Sequence, residues 1–133
     1  VSSIPSTSGI VTAILSLYNH YGIDTNATVS LRKASSTWTE AAVTWNNQPT
    51  VTGSDIDATV GAVGTTTTWD IAAFVQDWVN GTLTNDGMRV VNLTTFQKVF
   101  RASDHATVLT RPKLVVTYNT QSSLGARGYF LFL

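Results

Sequence analysis

Trp38-Thr39-Glu40-Ala41-Ala42-Val43-Thr44-Trp45-Asn46-Asn47-Gln48-Pro49 is the stretch on which the reading of this chain turns. Two tryptophans bracket an acid and the β-branched pair Val43 and Thr44, and the run closes in an Asn/Gln/Pro turn. It reads as a scaffold segment first and a binding site second. The rest of the sequence offers no arrangement that resembles an active site, so function has to be argued from fold, surface and chain ends.

Outward from this run, the pattern is that of strands. In residues 10–18, Val11, Ala13, Leu15 and Leu17 fall on one face of an extended segment, with Thr12, Ser16 and Tyr18 on the other. Residues 27–33 alternate again, setting Val29 and Leu31 against Thr28, Ser30 and Arg32. Residues 65–69, 87–93, 98–102 and 113–118 predict further strands. One segment has helical spacing instead: Ile71, Phe74, Val75 and Trp78 share a face within residues 70–79, with Asp70 as N-cap and Asn80-Gly81 as the stop. The expected fold is an all-β, jelly-roll-like antiparallel sandwich with one short helix at about residues 70–79.

At 133 residues the chain is long enough for one domain with its own core. Lysine plus arginine equals aspartate plus glutamate at 8 each, and charged residues make up 12%. That balance argues against nucleic acid and against an anionic membrane surface, both of which attract a basic excess. It leaves room for an anionic ligand held by two or three local cations. Without cysteine there are no disulfides, thiolate metal sites or cysteine nucleophiles. No apolar run approaches the ~20 residues that cross a bilayer, so membrane insertion is not expected. The abundance of threonine, serine, asparagine and glycine leans towards an extracellular or cell-surface β-domain.

Four passages resemble the DNRLRE (disaggregatase-related) family, which is linked to the alginate-binding carbohydrate-binding modules. They are Ser3-Ile4-Pro5 with Leu15-Ser16-Leu17-Tyr18; residues 38–49; Trp69-Asp70-Ile71 with Val75-Gln76-Asp77-Trp78-Val79-Asn80-Gly81; and Arg111-Pro112-Lys113-Leu114-Val115-Val116-Thr117-Tyr118. Order and spacing match over roughly residues 1–119. The resemblance implies a secreted or surface sandwich that binds or spaces and does not catalyse. It also implies about two strands ahead of the Ile4-Pro5 turn, so the sandwich of residues 1–120 is expected to be incomplete at its N-terminus.

Residues 121–133 differ in character. Gln121-Ser122-Ser123-Leu124-Gly125-Ala126-Arg127-Gly128 reads as a connector, while Tyr129, Phe130, Leu131, Phe132 and Leu133 are apolar at every position, as in a strand buried on both faces. Such a strand beside an unfilled groove suggests either a donor strand, folded back or inserted into a neighbour, or the start of a further domain in a longer protein. Head-to-tail insertion would build a homopolymer filament.

Several side chains are candidates for a site. The four tryptophans could stack on sugar rings, but their places in the family motifs favour the core. Glu40 and Asp70 do not suggest a glycosidase pair; Asp70 is better spent as a helix cap and Glu40 on local backbone amides. His20 and His105 lie in turn-like segments, away from any serine elbow or metal companions. Asp55 and Asp57, at alternate positions in an expected loop, are the oxygen ligands through which calcium enters the reading; no other cofactor is expected. Arg32, Arg101 and Arg111 form the candidate ligand-binding group, with Arg32 expected to face solvent, where a guanidinium meets uronate carboxylates. The expected partner is thus a polysaccharide or copies of this chain, and the expected role is non-enzymatic.

Overall fold

A computed structural model describes residues 1–22, 27–92 and 97–120. Seven strands make two antiparallel sheets: β1 (Gly9–Gly22), β2 (Ala27–Ala34), β3 (Val51–Val60), β4 (Thr66–Asp70), β5 (Met88–Asn92), β6 (Lys98–Phe100) and β7 (Lys113–Asn119). Helix α1 (Ala72–Val79) follows β4. In the four-stranded sheet β1 is central, with β4 on one side and β7 and then β6 along the other; in the three-stranded sheet the order is β3-β2-β5. This is the expected all-β sandwich with one short helix.

Alternation explains the two central strands. Ala13, Leu15 and Leu17 of β1 and Val29 and Leu31 of β2 are buried and meet Val60, Trp69 and Ile71 in one core. Val11, expected on the same face, is 51% exposed. The β1–β7 register slips between Ile10 and Thr12, so Val11 sits in a bulge and is turned out of the alternation.

The helix follows its sequence signals with one adjustment. The N-cap position falls at Ile71, yet Asp70 still accepts from the Ala72 amide at 3.0 Å through Oδ1, and from the Ala13 amide at 3.3 Å. One carboxylate therefore ties the first turn to β1. At the other end Gly81 takes φ +71° and donates to the Trp78 carbonyl, while the Thr82 amide donates to that of Asp77. These are the paired bonds of a Schellman stop, which needs a residue in the left-handed region. Phe74, Val75, Trp78 and Val79 are buried, and Gln76 bonds the backbone of Ser8 and Ile10.

Residues 53–57, expected as a loop, belong to strand β3. Its first half contains Gly53 at φ +81°, and its register against β2 slips between Leu31 and Lys33. Beyond this bulge, Ile56, Ala58 and Val60 turn inward and Asp55, Asp57 and Thr59 alternate with them.

The turn between β3 and β4 closes one flank, held by buried Asn19, which bonds the Thr65 carbonyl, the Gly64 amide and the Gly61 carbonyl. The opposite flank is open. Val90 pairs with Leu31 and Leu114 with Leu15, so register turns both towards the core, yet they are 44% and 37% exposed.

Candidate carbohydrate-binding groove

Residues 35–50 connect β2 to β3, and this long connection contains the tryptophan run. It is ordered by its own polar side chains. The Ala42 and Val43 amides donate to the Thr39 carbonyl, Thr44 and Asn47 form a reciprocal capping box, and Asn47 Nδ2 donates to the Ala42 carbonyl at 2.9 Å. Gln48 Nε2 returns to the Trp45 carbonyl at 3.0 Å. Glu40 is exposed and, among the described residues, takes no hydrogen bond, so the amides it was expected to serve are held by Thr39 and Asn47 instead.

Two contacts fix the connection against β5. Trp38 Nε1 donates to the Asp86 carbonyl at 2.7 Å, and Arg89 Nη1 donates to Gln48 Oε1 at 3.1 Å. Between them runs a groove of about 880 Å³, with the connection as one wall and Met88–Asn92 as the other. Trp45 is 86% exposed and Trp38 44%, whereas Trp69 and Trp78 lie in the core. The expectation that all four pack inside therefore holds for two. Trp38 and Trp45 face the groove because no strand carries them inward and the single 3-10 turn Trp45–Asn47 has no buried face.

The groove combines apolar faces with one cation. Trp38, Trp45 and Val90 supply the apolar surface, Gln48 and Asn92 polar ends, and Arg89 the charge; among the described residues no acid lines it. Arg89 Nε is buried and has no hydrogen-bond partner among the described residues. A guanidinium edge of this kind favours an anionic acceptor.

The candidate arginines do not converge. Arg32 lies opposite Arg89 across β2–β5, beside the groove. It is not free in solvent: both its Nε and its Nη2 donate to Asp55, the latter at 2.7 Å. The hydrogen bond from Arg32 holds the Asp55 carboxyl below its ordinary range, and the same bond raises Arg32. Asp55 reaches Arg32 because both acids stand on β3 and not in a loop. Asp57 in turn accepts from Ser30 Oγ at 2.6 Å. With these partners the two acids stand on a strand face, and no group of three or more His, Cys, Asp or Glu side chains that could hold a metal occurs among the described residues. Arg101 and Arg111 lie by the other sheet. His20 is on β1, not in a turn, with its ring 6.4 Å from that of His105. Tyr129, Phe130, Leu131, Phe132 and Leu133 lie outside the described residues.

The sandwich thus carries a surface groove that joins exposed aromatic faces to the Arg89 cation. Comparison with protein families matches residues 1–118 to Carbohydrate-binding module family 96, and the chain belongs to that family. The narrower DNRLRE naming finds no separate support. No curated protein matches the chain.

Proposed function

We propose that this chain is a non-catalytic module that binds a polysaccharide, outside the cell or at its surface, in the groove between residues 35–50 and β5. The observation that carries this reading is the 86% exposure of Trp45 on a connection held rigid by its own hydrogen bonds. A fixed aromatic face stacks on a pyranose ring without paying to order itself. Arg89, the cation that lines the groove, suits the carboxylate of a uronic acid, and the resemblance to alginate-binding modules points the same way.

The test is affinity electrophoresis of the full chain in gels containing alginate, a neutral glucan or no polymer. Retardation by alginate that is lost in Trp45→Ala and reduced in Arg89→Gln supports the reading. Equal mobility in all gels, or release of new reducing ends from the polymer, overturns it.

One observation favours a second reading, a filament subunit assembled through residues 129–133. Val90 and Leu114 are half exposed on faces that register turns inward, so the open flank has room for another strand. Deleting residues 129–133 and finding the sedimentation profile and unfolding midpoint unchanged rejects it.

A further inference from the structure

A second concavity, of about 450 Å³, lies on the four-stranded sheet. Its floor is Ser16 and Tyr18 of β1 and Thr66 of β4, and its wall is the turn that leads through Val108 and Leu109 into Arg111 and Lys113. These residues come together by register: Tyr18 pairs with Thr66, and Ser16 with Lys113.

Two cations line it, Arg111 and Lys113, and a third, Arg101, contacts its lining residues Tyr18 and Thr110. Lys113 is exposed, and Arg111 is anchored by Nε to the His105 carbonyl at 2.7 Å. Arg101 lies over the Tyr18 ring at 4.6 Å and bonds Thr110 Oγ1 at 2.7 Å, with its Nε buried and unpartnered. Among the described residues no acid lines the concavity. Among the described residues the two ion pairs are Arg32–Asp55 and Lys33–Asp77, so none neutralises Arg101, Arg111 or Lys113; even Asp104, in the adjoining turn, pairs with none of them. A chain with only 8 lysines and arginines, balanced by 8 acids, thus sets Arg111 and Lys113 on one concavity with no ion-pair partner among the described residues. Like charges so arranged repel unless an anion joins them.

We infer that this concavity is a second binding site, for an anionic sugar whose carboxylate or sulfate meets Arg111 and Lys113. The hydroxyls of Ser16 and Thr66 offer hydrogen bonds to ring substituents. Leu109, 97% exposed, and Val108, 65% exposed, cover the ring's apolar face. The site goes beyond the groove but rests on the same carbohydrate reading. A polymer long enough to engage both faces would bind with avidity.

The experiment records amide NMR shifts of the full chain titrated with three oligosaccharides too short to bridge the two faces: an oligouronide, a sulfated oligosaccharide and a neutral one. The expected result is perturbation at Ser16, Tyr18, Thr66 and Thr110 by at least one anionic probe but not by the neutral one. It persists in Trp45→Ala and disappears in the double variant Arg111→Gln, Lys113→Gln. Because Arg111 also anchors its turn, Lys113→Glu is the control for folding: an exposed side chain changes sign, and the dissociation constant should rise about tenfold, ~1.4 kcal/mol. The two anionic arms tell carboxylate from sulfate. Shifts confined to Met88–Asn92 and residues 35–50 overturn this site and leave the groove standing, and shifts here alone do the reverse. No shifts with any probe, or equal shifts with the neutral probe, also overturn it.

Discussion

Trp69 and Trp78 are buried to 2% and 8% exposure, while Trp38 and Trp45 stand in or beside a groove at 44% and 86%. What separates the pairs is the element that carries them. Trp69 alternates with exposed Thr68 and Asp70 on β4, packs edge-on to Phe100 and donates Nε1–H to the Val29 carbonyl at 3.1 Å. Trp78 lies one helical turn after Phe74 and packs against it. Trp38 and Trp45 belong to a connection whose one helical turn, the 3-10 turn Trp45–Asn47, is too short to repeat and buries no residue, so nothing directs them inward. A motif can therefore mark a family without marking its core.

The strongest way to break this comparison is to truncate one tryptophan from each pair. Trp69→Ala removes the largest fully buried side chain and a buried hydrogen bond; it should cost about 3–5 kcal/mol in urea unfolding. Trp45→Ala should leave the unfolding free energy within about 0.5 kcal/mol, yet weaken polysaccharide binding at least tenfold, ~1.4 kcal/mol, in isothermal titration. If Trp45→Ala destabilised the fold as Trp69→Ala does, the division between core and groove tryptophans would be wrong.

A smaller change sharpens the same point from the helix side. Trp78 is seated by a helix whose stop depends on Gly81 at φ +71°. A Cβ there meets nothing within 4 Å, so the penalty of Gly81→Ala is conformational and not steric. It should amount to about 1 kcal/mol, read as a lowered denaturation midpoint with unchanged groove affinity.

The periodic parts of the molecule were legible in the sequence. Leu15 and Leu17, Val29 and Leu31, and the face of Phe74, Val75 and Trp78 declared their burial by spacing, and Asn80-Gly81 declared the helix stop. Strand β3 was not legible because Gly53 and two acids read as a loop. The surviving signal was the alternation of Ile56, Ala58 and Val60 with Asp55, Asp57 and Thr59, which starts only after the bulge. The groove was harder. Its wall had a signal, since an irregular connection as long as residues 35–50 is uncommon in a compact domain and is often functional. Arg89 had none: its part depends on which strand lies beside β2, and that pairing joins residues far apart in sequence. For the same reason the partner of Arg32 went unread: it stands on the outward face as its alternation implies, but β3 brings Asp55 against it.

That ion pair gives the smallest predicted effect and a sign to check. Asp55 is held below the ordinary aspartate range by its hydrogen bond from Arg32. A carboxyl with a depressed folded-state value stabilises the fold above its unfolded value of about 3.9. The contribution is lost as pH falls through the lower folded value, because the unfolded chain then takes up the proton first. Arg32 stays charged throughout this window. Asp55→Asn should therefore be slightly less stable than the parent chain at neutral pH, by an amount that stays level down to about pH 5 and shrinks on further acidification. Both side chains are partly exposed, so added salt should narrow the gap as well. Freed from Asp55, Arg32 stands next to Arg89 at the groove. If Arg32 is a reserve cation for the ligand, alginate affinity rises in this variant; if the pair serves only to hold β2 to β3, affinity is unchanged while stability falls.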